Sequence, residues 1–472
     1  MKSNRRDFLR LSGLAGLGLA GANMIDGNAA IPDSPKIDNR LNRQDGKRFN
    51  MSGFAAPKLE TVRIGFIGLG NRGPDAVDRM RKIEGVEIKA LCDLRPEKAA
   101  HANELLKNTS HHPDLYTGNE NEWKKVCERS DIDLIYIATP WALHTTMAVY
   151  AMEHGKHAAS EVPAAVTLEQ CWQLVETSEK MKKHCMILEN CCYDFFELLT
   201  LNMARQGWFG EIIHAEGAYI HHLLEDNFSK TKYYDMWRLK ENFRNGSLYP
   251  THGLGPIAQV LDINRGDRMD YLVSVSTNDF MMGNLARELA STDSFYKPYE
   301  NKSFRGNMNT TTIRTIKGKT MMIQHDVTSP RPYSRIHLVS GTKGTALKYP
   351  EPGRISNSHE GWLNEAEFKV LEEKYAPPIV KKVGELAKQI GGHGGMDFLM
   401  DWRLIDCLRN GLPLDIDVYD AAAWSSIGPL SEKSVASRSN TIDIPDFTNG
   451  FWKTNVPVDV FLQKGGNTNV KI

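Results

Sequence analysis

In Leu248-Tyr249-Pro250-Thr251-His252-Gly253, a phenol and an imidazole stand three residues apart. That spacing puts both on one face if the segment is helical. Imidazole and phenol are the side chains suited to moving protons at sugar or alcohol carbons. A buried, hydrogen-bonded histidine at a helix start rich in Gly and Pro would give the same pattern, so spacing alone leaves both readings open. Trp237-Arg238 lies just upstream, and His393, inside Gly391-Gly392-His393-Gly394-Gly395, is a second candidate. His111-His112 and His221-His222 are expected at the surface.

A second constellation is more specific. The apolar, β-branched run Val62–Ile67 leads into Gly68-Leu69-Gly70-Asn71-Arg72-Gly73, then into helical spacing from Pro74 to Lys82. Another strand, Val86 to Cys92, ends at Asp93, twenty residues past Gly73. In a glycine turn of this kind Gly68 allows the tight bend, Gly70 lets a pyrophosphate approach the backbone, and Gly73 lets helix and strand pack closely. The helix N–H groups then face the phosphates. Asp93 can accept from ribose hydroxyls and would repel a 2′-phosphate, which favours NAD over NADP; Arg95 nearby pulls the other way.

The elements that must hold these groups alternate. Asp133–Ala138, Lys156–Ser160 and Met186–Leu188 have strand character, and the helices expected between them are Leu143–Glu153 and Leu168–Met181. Strands alternating with helices imply a doubly wound parallel sheet, whose ligands sit at the carboxyl ends of the strands. Asn71, Arg72, Asp93, Pro140, Trp141, His144, Glu161 and Asn190 would then share one crevice. From about residue 210 the pattern changes to successive strands with short turns: 212–219, 271–276, 310–316, 320–326 and 335–340. The fold class expected is α/β: an N-terminal Rossmann domain (58–192), then an α+β domain (193–450) with a mostly antiparallel open sheet, and a C-terminal tail (451–472).

Composition sets outer limits. The 472 residues carry 58 basic and 58 acidic side chains, so there is no positive excess for a nucleic-acid backbone. Arg5-Arg6-Asp7-Phe8-Leu9-Arg10, a mild apolar run from Leu11 to Ala20 and small residues to Ala30 form a signal peptide (1–30) of twin-arginine type. The expected destination is the periplasm, and the run is too short for stable membrane insertion. Residues 31–57, rich in Asn, Asp, Arg and Pro, read as a linker. Seven cysteines without a CxxC pair are expected to be small core residues; they show no zinc-ligand spacing and make a disulfide framework unexpected. No metal is expected.

Several longer stretches carry a family likeness: Trp141-Ala142-Leu143-His144, Glu189-Asn190-Cys191-Cys192-Tyr193, Leu248–Gly253, Arg331-Pro332-Tyr333, Gly392–Asp397, Pro429–Ser434 and Ile444–Gly450. With Gly70–Gly73 they resemble the oxidoreductases named for glucose-fructose oxidoreductase, inositol dehydrogenase and rhizopine catabolism proteins. More narrowly, they resemble glycoside hydrolase family 109, whose members include an NAD-dependent α-N-acetylgalactosaminidase. The resemblance implies hydrolysis of a terminal α-linked sugar, N-acetylgalactosamine by likeness alone, with no net redox. The sugar is oxidised at C3, a base removes the acidified C2 proton, the C1 substituent leaves, water adds, and the hydride returns. It also implies that Asn71, Arg72, Asp93, Trp141, His144, Glu161, Val162 and Asn190 contact NAD. Tyr219, Arg238, Tyr249, Pro250, Thr251, His252 and Tyr333 would line the sugar site, with His252 and Tyr249, and less so Tyr193, as acid/base groups. Dehydrogenases of the broader family usually carry Glu-Lys-Pro where this chain has Glu161-Val162-Pro163. The missing Lys would help deprotonate an alcohol in net oxidation, so its absence disfavours the alternative, a net NAD-dependent sugar oxidoreductase. Family members often pair through the open sheet, which makes a homodimer the expected assembly.

Overall fold

The computed structural model describes residues 48–459 and 461–471. The signal peptide and most of the linker lie outside the described residues. Six strands form the first sheet: β1 (Val62–Ile67), β2 (Val86–Asp93), β3 (Asp114–Thr117), β4 (Leu134–Ile137), β5 (His157–Ser160) and β6 (Cys185–Ile187). All pairs are parallel, in the order β3-β2-β1-β4-β5-β6. Helices cover both faces of such a sheet, so inner strands such as Leu-Ile-Tyr-Ile of β4 are buried at every position. The chain reverses direction of travel between β1 and β4, and the carboxyl ends there open onto a crevice. Strand β3 was not expected: it is a four-residue edge strand whose Asp114 and Leu115 face solvent, so it carries no apolar run.

The second sheet has eight strands: β7 (Ile212–Ile220), β8 (Met269–Ser276), β9 (Asn309–Thr315), β10 (Thr320–Asp326), β11 (Leu338–Gly341), β12 (Thr345–Leu347), β13 (Arg354–Ser356) and β14 (Ile442–Asp443). Their order is β13-β12-β11-β7-β10-β9-β8-β14, mostly antiparallel, with β7 and β10 parallel. Strand β11 starts at Leu338 rather than Arg335. Arg335 is turned inward to Asp194 and Glu197, and Ile336 takes a left-handed conformation (φ 57°) that breaks the ladder.

The division into lobes is not a clean cut in sequence. The helix Met396–Asn410 packs back on the Gly73–Met80 helix of the first lobe, and Arg79 Nε donates to its Asp401 at 2.7 Å. The terminal stretch follows it: the Trp402 indole donates to Thr468 O, and Glu84 and Lys471 exchange backbone bonds with Asn469 and Lys82. At the other end, within the segment expected as linker, Arg48 pairs with Glu179 and Met51 N donates to the Tyr419 hydroxyl. All seven cysteines are buried and free. Among the described residues no helix is long and apolar enough to cross a membrane.

One close approach sets the site. The helix Thr251–Val260 lies directly on β7, and a Cβ built on Gly217 would fall 2.3 Å from Gly253 O, while one on Gly253 would fall 2.2 Å from Ala218 N. Two glycines face to face bring His252 beside Tyr219, with ring centroids 5.3 Å apart. Gly217→Ala is expected to push the helix off the strand, lowering unfolding free energy by about 1–3 kcal/mol in denaturant titration and reducing kcat at the same time. A variant of native stability and activity would show that this approach is not needed.

Candidate active site

The carboxyl ends of the parallel strands and the β7 side of the second sheet enclose a cleft of about 660 Å³. Its wall takes in Gly68, Gly70, Asn71, Arg72, Asp93, Trp141, His144, Glu161, Val162, Asn190, Tyr219, Arg238, Tyr249 and His252. Sequence reasoning had assigned each of these a role, and the fold brings them to one place.

At the glycine turn the residues fit a dinucleotide. Space beside Gly70 is open, the nearest atom to a Cβ there being Arg95 Nη2 at 3.5 Å. Gly73 does not reach the cleft; its role is packing, since a Cβ would meet Gly68 O at 2.2 Å. Asp93 accepts from Leu69 N at 2.7 Å and from Arg95 N at 2.9 Å, which fixes the turn and leaves the carboxylate edge facing the cleft. Arg72 is held by Glu161 (2.9 Å) and by Asp397 (3.0 Å), and Asn190 donates to the same Asp397. Burial pushes the Asp397 carboxyl up, but His393, Arg72 and Arg79 more than reverse this and hold it far below the usual range. His144 sits differently from expectation. It is fully buried, and its two ring nitrogens each face a backbone carbonyl, Pro163 O and Thr139 O, at 2.7 Å. It braces two turns of the cleft wall and has no nitrogen free for a ligand.

The inner end holds His252, Tyr249 and Glu189. His252 Nδ1 lies 2.8 Å from Glu189 Oε1, and its Nε2 lies 3.4 Å from the Tyr249 hydroxyl. Glu189 has no solvent exposure. Burial pushes its carboxyl up, but the His252 imidazole, the Thr251 hydroxyl and the Cys191 amide together hold it below the ordinary value. A carboxylate only accepts, so Nδ1–H donates to it and the other ring nitrogen, Nε2, is turned to the Tyr249 hydroxyl and the cleft. Tyr249 stays a phenol, because burial and the neighbouring Tyr219 push it well above its usual value. The Arg238 guanidinium lies over the rings of Trp141, Tyr233 and Tyr249, at 5.3, 5.5 and 5.4 Å, and its Nη2 is 3.4 Å from the Tyr219 hydroxyl. Glu189, Cys191 and His252 also place one ligand atom each within 4.8 Å of one another. Burial pushes the Cys191 thiol far up, and within this trio Glu189 and His252 are hydrogen-bonded to each other.

Six residues sit differently from expectation. Tyr193 does not face the cleft; it is buried behind it, its hydroxyl 3.4 Å from Asp415, beside Arg403. The residue directs its ring into the packing of a one-turn helix, Asn190–Tyr193, and not to the acid/base pair. Pro250 and Thr251 form the start of the His252 helix without reaching the wall, and Thr251 is fully buried. Tyr333 lies at the outer rim, 41% exposed, with its ring centroid 5.2 Å from that of His221. His221 was expected at the surface. It lines the cleft with Nδ1 2.9 Å from the Tyr219 hydroxyl. His111 likewise is buried, accepting from Ile88 N, whereas His222 is exposed.

Comparison with known proteins decides the family. Residues 193–454 match the model of the glycosyl hydrolase 109 C-terminal domain, and residues 62–189 match the oxidoreductase family with an NAD-binding Rossmann fold. The chain belongs to glycoside hydrolase family 109. It is 51% identical over 417 residues to glycosyl hydrolase family 109 protein 1 of Bacteroides fragilis, covering 85% of this chain and 88% of the relative. It is 53% identical over 409 residues to an alpha-N-acetylgalactosaminidase of the same species, covering 85% and 95%. Among solved structures, a levoglucosan dehydrogenase complexed with NADH shares the fold at 16% identity and a TM-score of 0.60, over 82% of this chain and all of that one. The protein is thus an NAD-dependent glycoside hydrolase of family 109.

Sequence reasoning did not single out Glu189 and Asp397 as site residues in this family 109 chain. Glu189 could have been found from its place directly after a parallel strand, next to Asn190. Asp397 had no local signal, since it reaches the site only by the return of the Met396–Asn410 helix.

Two outcomes follow from this geometry. Glu189→Ala leaves the imidazole without its orienting carboxylate, and kcat is expected to fall by about 10²–10⁴-fold, the range of a lost general acid–base group. Glu189→Gln, which keeps an acceptor for Nδ1–H, should lose less; equal activity in all three proteins would remove Glu189 from the machinery. Separately, burial with Arg238 and His252 pushes His221 down to about 4. Burial also pushes His184 down to about 4. Because these folded values lie below the unfolded value of ~6.5, the unfolded chain takes up protons first. Their stability contribution is full above about pH 6.5 and is lost as pH falls toward 4. Thermal melts from pH 7 to 4.5 should show a falling midpoint, with a shallower slope in His184→Phe. An unchanged slope would contradict neutral burial of this ring.

Proposed function

We propose that this enzyme cleaves terminal α-linked N-acetylgalactosamine by an oxidation, elimination, addition and reduction cycle that consumes no cofactor. The observation that carries this reading is a buried Glu189–His252 pair opening on the same cleft as the glycine turn. When bound, the nicotinamide supplies a reversible hydride acceptor for the sugar's C3. The chain's own groups do the rest. The C3 hydroxyl gives up its proton as its hydride leaves, His252 Nε2 takes the proton from C2, and the bond from C1 to the aglycone breaks. Water adds its hydroxyl at C1 and its remaining proton goes to the aglycone oxygen; His252, its proton exchanged with solvent, returns one to C2, and C3 and its oxygen regain hydride and proton. Tyr249, held as a phenol, donates and does not compete as base. Arg238 remains a cation through burial because the Tyr219, Tyr233 and Tyr249 hydroxyl groups favour its charge, and it orients two of those phenols at the wall.

Support for the sugar comes from the name of the 53%-identical relative. Val162, buried at the cleft where a net dehydrogenase of the broader family usually has Lys, fits a reaction without net oxidation. Export by the twin-arginine route to the periplasm fits as well. An enzyme that keeps NAD is best folded around it in the cytoplasm, and Arg5-Arg6 with Phe8-Leu9 is the signal that permits this.

The test is purified protein with p-nitrophenyl α-N-acetylgalactosaminide and a panel of other α-glycosides. Nitrophenol is expected without added NAD and without accumulated NADH, and in D₂O the released sugar should carry deuterium at C2. Stoichiometric NADH with no nitrophenol would replace this reading with net sugar oxidation.

A further inference from the structure

The thirty-residue connection between β7 and the His252 helix does more than join them. Midway along it, residues 231–237 cross from the second lobe to the first and form the wall facing the glycine turn, where Thr231, Lys232, Tyr233, Tyr234, Asp235 and Trp237 line the cleft. This segment is fastened to the Rossmann lobe at three points. The Asn71 amide donates to Lys232 O at 3.0 Å. The Arg95 guanidinium lies 5.0 Å over the Tyr234 ring. The Trp237 ring packs edge-on against Trp141 at 5.3 Å. Its own lobe holds it by Lys232–Asp226 at 2.9 Å and Asp235–Lys240 at 2.6 Å.

The three fastenings fall at residues that would hold successive parts of the dinucleotide. Asn71 belongs to the pyrophosphate turn, and Arg95 stands two residues from Asp93, the ribose acceptor of the adenosine half. Trp141 opens the helix after β4, toward the inner end where Tyr249 stacks on it at 5.3 Å. Asp235 and Met236 are consecutive non-glycine residues in the left-handed region, at φ 52° and 49°. Such a pair is costly and persists only where the surroundings over-determine it, which marks sites of clamping and switching. Tyr234 lines the cleft yet is left 49% exposed, an aromatic ring at its open side.

We infer that residues 231–237 are a cofactor-retaining strap, which binds across the adenosine and pyrophosphate half of NAD and makes the dinucleotide slow to exchange. This rests on the reading of the cleft as an NAD site and gives that reading a kinetic content. A cycle that returns its hydride has no need of cofactor release, so a strap that slows release costs no turnover.

The experiment is cofactor exchange on the loaded enzyme. Protein purified with its dinucleotide is mixed with excess ¹³C-labelled NAD, and the heat-released nucleotide is weighed by mass spectrometry over time. The native enzyme should exchange slowly. Tyr234→Ala should exchange faster by about fivefold or more, the size of one exposed cation–π contact with the ring cover that goes with it, and Tyr234→Phe should restore the native rate. Hydrogen exchange on the unaltered protein gives an independent measure: amides of 231–237 should be protected with NAD and lose that protection after its removal. Exchange that is equally fast in all three proteins, or a strap equally protected with and without NAD, overturns the inference while leaving the NAD site standing. Native protein that neither contains nor takes up pyridine nucleotide would instead overturn the site itself, and the strap with it.

Discussion

A carboxylate without solvent contact is expensive unless something charged or donating meets it, the penalty for an unpaired buried ion being several kcal/mol. Glu189 leaves the end of the parallel sheet in that condition, and what meets it is His252, at the start of the helix carried by β7. The contact therefore ties the last strand region of one lobe to the first turn of the other lobe's key helix. It fixes the separation of the lobes at the inner end of the cleft. The Gly217–Gly253 approach makes the contact reachable; the carboxylate makes it necessary.

A second set of buried charges runs along the same seam. Arg72 and Arg79, both on or beside the helix that follows the glycine turn, meet Asp397 and Asp401 on a helix contributed from far downstream. Burial pushes Asp401 up to about 6, while Arg79 resists that rise. The glycine-turn helix thus gains its counter-charges from the other end of the chain. A phosphate-binding turn needs its N–H groups free for the ligand, so its rigidity must come from elsewhere, here from side chains on the turn's far face. The same Asp397 accepts from Asn190, the residue after Glu189, so the two networks share one backbone turn.

The first lobe was legible because its signals are local. A strand, three glycines at fixed spacing, a helix and an acid twenty residues on are all held within β1 to β2, and parallel strands buried on both faces announce themselves as apolar runs. The candidate site was legible in part for the same reason, since Tyr249 and His252 are near neighbours in sequence. What escaped was non-local. His221 looked like a surface residue because its alternation in β7 is lost at the strand's end, where the cleft and not solvent lies beyond it. Tyr193 looked functional because it follows Glu189-Asn190, yet the one-turn helix Asn190–Tyr193 rotates it behind the wall. Asp397 needed the return of a helix that starts only at Met396, far downstream of β2, which no spacing rule can supply. The ends of β11 were misplaced because an arginine drawn into an ion-pair cluster outweighed a β-branched pattern.

The inner cleft can finally be taken as an inventory of protons. Its fixed cations are guanidinium groups, Arg72 and Arg238, both raised by buried anionic or phenolic neighbours and so unable to give up a proton. Its phenols, Tyr219 and Tyr249, are raised by burial and stay neutral donors. His144 has both ring nitrogens on carbonyls. A lysine at position 162 would add an amine whose proton affinity burial could tune toward neutrality, giving the site a second base suited to an alcohol. With Val162 in its place, the imidazoles with a nitrogen facing the cleft are those of His252 and His221; burial and nearby cations push His221 down to about 4, and of the two only His252 has a buried carboxylate behind it. A site with one carboxylate-backed imidazole, phenols that stay protonated and guanidinium groups that stay charged suits a cycle that takes a proton off C2 and puts one back, with the C3 hydroxyl proton lost and regained in the same cycle.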